Sequence, residues 1–380
     1  MMNGINNIMT PCHVIDLDVL QENLSGPIKY IREKASCNIL LALKGFSSPE
    51  VLKYMVEHLD GASASGEFEA RLGKEMFKKH ICTYSPSYKD ESIDVILQNS
   101  SHIVFNSMRQ FSKYQDMAYK NNVSCGIRIN PDFSLLPALS ITNPCQKYSR
   151  LGVKYEDMPN IDLFGEGKIE GIHLHTMCDQ GAEALEKTID YLISNYSQYL
   201  HQIKWLNLGG GQMYAQLNYD LKKAVTAINK LHRLYDFEIF LEPCSGIITN
   251  CGYFITTVTD IVKNEMDIAI IDASTVCHMP DVILTGWEHD ISNAGEIDAY
   301  PYKYRIAGCS CFAGDIWGDY SFSNPLSIGD HIIFEDTAAY SIVKNNSFNG
   351  LQIPAIATYS KKDGIKIVKT FNYNTFISNQ

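Results

Sequence analysis

The stretch Asn38-Ile39-Leu40-Leu41-Ala42-Leu43-Lys44-Gly45-Phe46-Ser47 sets the reading of this chain. Its apolar run has the length of a strand buried on both faces, and a lysine closes it. Burying an ammonium at the carboxyl end of such a strand is costly unless the group is used. Two readings follow. Either Lys44 snorkels to the rim of a sheet, or it is an amine whose pKa is lowered by burial so that it can react with a carbonyl.

Seven later runs resemble that first one. They are Gly61-Ala62-Ser63-Ala64, Ile81-Cys82-Thr83-Tyr84, His102-Ile103-Val104-Phe105, Gly126-Ile127-Arg128-Ile129, Gly171-Ile172-His173-Leu174-His175, Trp205-Leu206-Asn207-Leu208 and Ile239-Phe240-Leu241-Glu242. Between them, amphipathic periodicity predicts helices over 67–76, 108–121, 182–199 and 219–235. Eight repeated strand–helix units within about 250 residues predict a TIM (β/α)8 barrel. An open doubly wound sheet fits less well, and its GxGxxG fingerprint is missing. The segment 131–152 is long and rich in Pro, Asn and Ser, and it reads as a functional insertion. From about residue 251 the pattern changes to short β runs at 253–261, 268–271, 304–307, 330–335 and 365–370, a C-terminal β domain. The expected division is an N-terminal segment over 1–20 that joins the β domain, a barrel over 21–250 and the β domain over 251–380.

Chemistry in a TIM barrel gathers at the carboxyl ends of the strands. There the unusual residues fall: Lys44, Arg128, His175, the Gly209-Gly210-Gly211 run and Glu242. Three glycines let backbone N–H groups approach a phosphate, although a flexible tight turn would read the same. A carboxylate ending a strand could equally cap the next helix. His173 and His175 share a strand face, and with Cys178 or Asp179 they offer a rival reading as metal ligands. No histidine follows on strands five, seven or eight, so no metal is expected.

The 380 residues are 45% hydrophobic and 20% charged, ordinary globular composition. The net charge of -11 argues against a nucleic-acid or anionic-membrane partner and suits a cationic substrate. No run reaches the roughly 18 apolar residues of a membrane span. The start Met1-Met2-Asn3-Gly4-Ile5 lacks a signal pattern, so a cytoplasmic location is expected. The 11 cysteines include no CxxC pair and are expected as reduced fillers; Cys309-x-Cys311 is the one local pair.

With these residues in hand, the chain resembles the fold-type III pyridoxal-phosphate decarboxylases, the alanine racemase-type group, and within it the carboxynorspermidine decarboxylase branch. The matching segments are Leu41-Ala42-Leu43-Lys44-Gly45-Phe46, Tyr84-Ser85-Pro86, His102-Ile103-Val104-Phe105-Asn106-Ser107, Tyr148-Ser149-Arg150-Leu151-Gly152, Cys277-His278-Met279-Pro280-Asp281, Ser310-Cys311-Phe312-Ala313-Gly314-Asp315, Val343-Lys344-Asn345 and Phe348-Asn349-Gly350. They span nearly the whole chain in order.

The resemblance implies pyridoxal 5'-phosphate as cofactor, held by Lys44 as a Schiff base. It assigns Glu242 to the pyridine nitrogen, His175 to the ring face and Arg128 to its polar edge. Gly209, Gly210, Gly211 and the Tyr340 hydroxyl would hold the phosphate. Glu69 matches the family's acidic residue near the cofactor, with Glu67 the alternative. A homodimer with shared active sites is implied, in which Cys311 of the neighbouring subunit protonates the product carbon. Asp315 would accompany it as a substrate residue or pair with Arg150 across the interface, and Asp281 and Glu288 would meet the distal ammonium. The bland alternative makes Cys309 and Cys311 core residues. Phe312 stands where the amino-acid decarboxylases carry an acid, which favours carboxynorspermidine or carboxyspermidine as substrate and norspermidine or spermidine as product. Diaminopimelate or another diamino acid is the alternative, as is a cofactor-binding member with reduced or lost activity. The chain departs from the family at Cys244-Ser245, where Gly-Glu is usual, and the bulk there is expected to strain the phosphate turn. A second departure runs from Ile283 to Glu288.

Overall fold

The computed structural model describes residues 5–380, and the Met1–Gly4 start read above for a leader lies outside them. Two compact units emerge: Asn23–Ile247, and residues 5–22 together with Ile248–Gln380.

The first unit is a closed barrel. Its eight strands are Asn38–Ala42, Gly61–Ala64, His80–Tyr84, His102–Phe105, Ser124–Asn130, Gly171–His173, Trp205–Asn207 and Glu238–Leu241. Each pairs in parallel with the next, and the last pairs with the first. The runs are nearly all buried because parallel strands wrapped by helices meet apolar neighbours on both faces. Helices Glu67–Phe77, Met108–Lys120, Ala182–Leu200 and Leu221–Leu234 occupy the segments whose periodicity predicts them.

Two sequence expectations shift. The first strand stops at Ala42, and the chain turns over 43–45, held by Gly45 N–H donating to the Ala42 carbonyl at 3.1 Å. Lys44 therefore projects from a turn instead of ending a strand, and it is exposed, not buried. The burial expected of this amine is thus not found. The sixth strand likewise stops at His173, two residues before His175.

Leu40, Cys82, Val104, Trp205 and Phe240 pack together inside the barrel. Beside them His80 and His102 lie 3.1 Å apart, ring nitrogen to ring nitrogen. His102 stacks on Trp205 with ring centroids 4.4 Å apart, and His80 on Phe240 at 4.6 Å. Burial lowers the pKa of His80 to about 4, against the pull of Asp60, and lowers that of His102 well below its ordinary value. Both rings are neutral in the fold and must charge on unfolding, so the stability they protect is present above pH 6.5 and lost as pH falls toward 4. We expect His80 alone to make the protein about 2 kcal/mol less stable at pH 5 than at pH 7.5. Urea unfolding at both pH values checks this, and His80→Asn should flatten the slope; an unchanged slope would contradict it.

The second unit is built on a nine-stranded mixed sheet. Its strand Cys12–Asp16 lies between Gly252–Asn264, antiparallel, and Ala355–Ser360, parallel. Phe254, Ile271, Trp317 and Phe334 anchor its core. The predicted runs appear as Gly252–Asn264, Met266–Ile271, Tyr302–Ala307, His331–Glu335 and Gly364–Lys369. Among the described residues no helix is long and apolar enough to cross a membrane.

Candidate active site

The carboxyl ends of the barrel strands enclose a cavity of about 520 Å³ whose walls include Lys44, Tyr84, Arg128, His173, His175 and Glu242. Four of the five positions chosen from strand ends thus meet in one space. The fifth, the glycine turn, stands directly behind His175. Gly210 N–H donates to His175 Nδ1 at 3.1 Å, and Gly209 N–H to Asn207 Oδ1 at 2.9 Å. Two of the three amides expected on a phosphate are therefore engaged, leaving Gly211 as the candidate donor from this turn. The glycines are also demanded by packing. Gly209 has φ of +66°, and a Cβ there would stand 2.6 Å from the Leu174 carbonyl oxygen. On Gly210 or Gly211 it would collide with the carbonyl of Glu242 or Met177.

Glu242 is the fixed charge of the cavity. Burial opposes its ionisation, but His173 Nε2 at 3.5 Å, the Asn207 amide donating at 2.7 Å and the Lys44 charge together hold its pKa at about 2. Burial lowers the pKa of His173, which therefore acts as a neutral partner of the carboxylate. His175 is driven well below its ordinary value by desolvation, then by Lys44 and Arg128. Its Nδ1 accepts from Gly210, so the neutral ring carries its proton on Nε2. The two histidines of the HxH pair are thus committed to different partners, Glu242 and Gly210, which is not the arrangement of a shared metal ligand set.

His173 entered the sequence reading only as a rival metal ligand, and Asn207 had no role in it. The signal available was that each is a polar side chain within an otherwise apolar barrel strand. Tyr84 is a third addition. Its ring stacks on His173 at 5.3 Å, the Arg128 guanidinium lies 4.6 Å from its centroid, and its hydroxyl donates to Asn106 Oδ1 at 2.8 Å. Asn106 also accepts from Gly152 N–H at 2.7 Å and donates to the Arg150 carbonyl at 2.9 Å. By these bonds the barrel grips the end of the 131–152 insertion, whose Thr142, Asn143, Ser149 and Arg150 line the same cavity. Asn207→Ala removes the donor to a buried carboxylate and should cost about 2 kcal/mol in urea unfolding at neutral pH. A loss under 0.5 kcal/mol, below the usual surface range, would deny Asn207 that role.

The remaining assignments lie elsewhere. Glu69 Oε2 accepts from Ser65 N–H at 2.6 Å and so caps the start of Glu67–Phe77; it is not on the cavity wall. In the second unit, Asp281 is already paired with Lys344 Nζ at 2.5 Å, which neutralises it as a receptor for an ammonium. Glu288 is exposed. Tyr340 sits in a left-handed turn, φ +59°, with Lys344 Nζ 4.9 Å from its ring centroid. Cys309 and Cys311 are both exposed, so the core reading of that pair does not hold. Asp315 is 4% exposed, and its two oxygens accept four hydrogen bonds, from Thr275 N–H and Oγ1–H and from Ser310 N–H and Oγ–H.

The strain expected at Cys244-Ser245 is absent. Neither residue has a positive φ, and Ser245 opens a one-turn helix, Ser245–Ile248. The close approach that needs glycine has moved to Gly246, where a Cβ would strike the Gln212 carbonyl. An affinity penalty for the cofactor from this turn therefore loses its basis.

The cavity fits a pyridoxal phosphate. Arg128 is 5% exposed yet its Nε has no hydrogen-bond partner, and His173 Nδ1 is likewise orphaned. An amine, an ionised carboxylate and a neutral imidazole line the same cavity, with the glycine turn behind His175, which is the donor set that a phosphorylated pyridine aldehyde requires.

Comparison with known proteins agrees. The profile of the family described as "Pyridoxal-dependent decarboxylase, C-terminal sheet domain" matches residues 12–338. The chain is 36% identical to a carboxynorspermidine/carboxyspermidine decarboxylase of Campylobacter jejuni, covering 97% of this chain and 98% of the relative. It is 34% identical to a carboxyaminopropylagmatine decarboxylase of Synechocystis, covering 98% and 95%. The crystal structure of the Campylobacter jejuni carboxynorspermidine decarboxylase complexed with norspermidine superposes with a TM-score of 0.90 at 34% identity, covering 98% of this chain and 100% of that one.

Proposed function

Because the chain belongs to the pyridoxal-dependent decarboxylases of the ornithine, diaminopimelate and arginine decarboxylase family, we propose that it removes carbon dioxide from a carboxylated triamine, carboxynorspermidine or carboxyspermidine. The products are norspermidine or spermidine. The observation that carries this reading is the full-length likeness to a relative bearing that name, extended by the backbone match to a norspermidine-bound enzyme. A second substrate, carboxyaminopropylagmatine, is favoured by the second relative at nearly equal identity. All three substrates share a carboxylated aminopropyl arm and a distal cation, which suits a chain of net charge -11.

Pyridoxal 5'-phosphate supplies the electron sink for the bond pair released as carbon dioxide leaves. Lys44 would hold the cofactor through its neutral ε-amine nitrogen and, once the substrate amine has taken its place, would be free to take up a proton. Glu242, kept ionised by Asn207 and His173, would hold a proton on the pyridine nitrogen. The neutral His175 ring would support one face of the pyridine without adding a competing positive charge. Arg128 would offer its orphaned Nε to the polar edge of the ring, and the Gly211 amide, left free where Gly209 and Gly210 are engaged, would receive the phosphate together with Tyr340. Cys311, from the neighbouring subunit of a homodimer, delivers the final proton to the substrate's α-carbon. Glu288 remains the acidic group assigned to the distal ammonium, since Asp281 is spent on Lys344. The scattered cysteines, among which no CxxC pair occurs, suit the reducing cytoplasm.

The reading is tested by incubating the cofactor-loaded protein with carboxynorspermidine. One carbon dioxide and one norspermidine are expected per turnover. No amine product from any of the three carboxylated substrates would overturn it.

A further inference from the structure

Cys311 sits on an exposed loop, yet that loop is tied down on both sides within its own domain. On one side Asn349 Oδ1 accepts from the Cys311 backbone N–H at 2.7 Å. Asn349 adopts φ of +58°, and the segment leading to it is anchored by Asn346 N–H donating to the Cys277 carbonyl at 2.9 Å and Asn346 Nδ2 donating to the Val276 carbonyl at 2.8 Å. On the other side Asp315 holds Ser310 at N–H, 3.1 Å, and at Oγ, 2.6 Å. Its second oxygen holds Thr275 at N–H, 2.8 Å, and at Oγ1, 2.7 Å. Thr275 opens the short helix Thr275–His278, so both ties end on that one element. The Gly308 N–H bond to the Asp315 carbonyl, 2.8 Å, and the Asp315 N–H bond to the Phe312 carbonyl, 3.0 Å, close the loop on itself.

A buried carboxylate with four donors is a costly device for an ordinary surface loop. It makes sense where the residue between the two ties must be held to a fraction of an ångström. We propose that Asp315 and Asn349 are positioning residues that fix the Cys311 thiol for proton delivery. This rests on the reading of Cys311 as proton donor.

The consequence is chemical. When the bond to carbon dioxide breaks, its electron pair passes into the cofactor, and a proton placed on the substrate's α-carbon returns the pair and yields the amine. A misplaced thiol leaves time for the proton to arrive instead at the cofactor's imine carbon. Water then releases the substrate skeleton as an aldehyde and leaves the cofactor as pyridoxamine 5'-phosphate.

The test compares Asn349→Ala, Asn349→Asp, Asp315→Asn and Cys311→Ala in the full-length protein. Hydrogen exchange of the 309–315 peptide without cofactor reads loop order independently of turnover. Asn349→Ala should speed its exchange roughly 2- to 10-fold, lower kcat with KM unchanged and raise the share of turnovers ending in aldehyde and pyridoxamine 5'-phosphate. Asn349→Asp keeps the acceptor and should restore both readouts. Asp315→Asn should exceed Asn349→Ala in each, and if it fails to fold the Asn349 pair still decides. Wild-type exchange and wild-type product ratio in Asn349→Ala would overturn the inference. An unchanged product ratio in Cys311→Ala would remove the donor role beneath it, a separate failure that overturns it as well.

Discussion

Lys44→Ala is expected to lower kcat/KM for carbon dioxide release by roughly 10³-fold or more, equivalent to about 4 kcal/mol of transition-state stabilisation, because no other amine among the cavity-lining residues can carry the cofactor. The fold should be untouched. Lys44 is exposed to the cavity, projects from a turn and forms no part of the barrel core, so its truncation should stay within about 0.5 kcal/mol in urea unfolding. Borohydride reduction of the loaded wild-type protein should fix the cofactor on the Lys44 peptide, and the variant should lose that label. A label on another lysine, or full activity in the variant, would contradict the assignment.

Cys311→Ala should also be nearly inactive in forming amine, by roughly 10²- to 10⁴-fold, the usual worth of a positioned acid. Combining two inactive dimers then reports where the thiol acts. If each site takes Lys44 from one subunit and Cys311 from the other, exchange between Lys44→Ala and Cys311→Ala dimers makes half the dimers mixed. Each mixed dimer has one intact site of two, so about a quarter of wild-type activity should return. Its absence after proven subunit exchange would place Cys311 and Lys44 of the same chain in one site, or Cys311 outside it.

The barrel was legible because its chemistry is local. Runs such as Asn38–Ala42 and His102–Phe105 are apolar because both faces are covered, and the polar exceptions fall where the strands open onto the cavity. The β domain was less legible. Cys12–Asp16 is a strand because Gly252–Asn264 and Ala355–Ser360 flank it from more than 230 residues away, and no local pattern announces that pairing. Ile316–Phe322 interrupts its apolar residues with Gly318 and Asp319, and Asp319 is accommodated by the bidentate Arg305, which again is a tertiary partner.

At the site, Lys44, Arg128, His175 and Glu242 could be picked from position in the fold pattern. Their supports could not. Nothing in the order of residues says that Asn207 donates to Glu242, that Tyr84 packs against both Arg128 and His173, or that Lys344 lies on Asp281. The Cys244-Ser245 departure misled for a related reason. The sequence marks a missing glycine, whereas the backbone shows its work done two residues later at Gly246.

Substrate choice is the central claim, and kcat/KM for carbon dioxide release measured side by side on carboxynorspermidine, carboxyspermidine, carboxyaminopropylagmatine, diaminopimelate and ornithine tests it most directly. We expect at least one carboxylated aminopropyl substrate to exceed diaminopimelate and ornithine by about 10-fold or more, since their shorter chains leave the distal cation without its partner. Faster turnover of diaminopimelate or ornithine than of all three would contradict that choice while leaving the family in place.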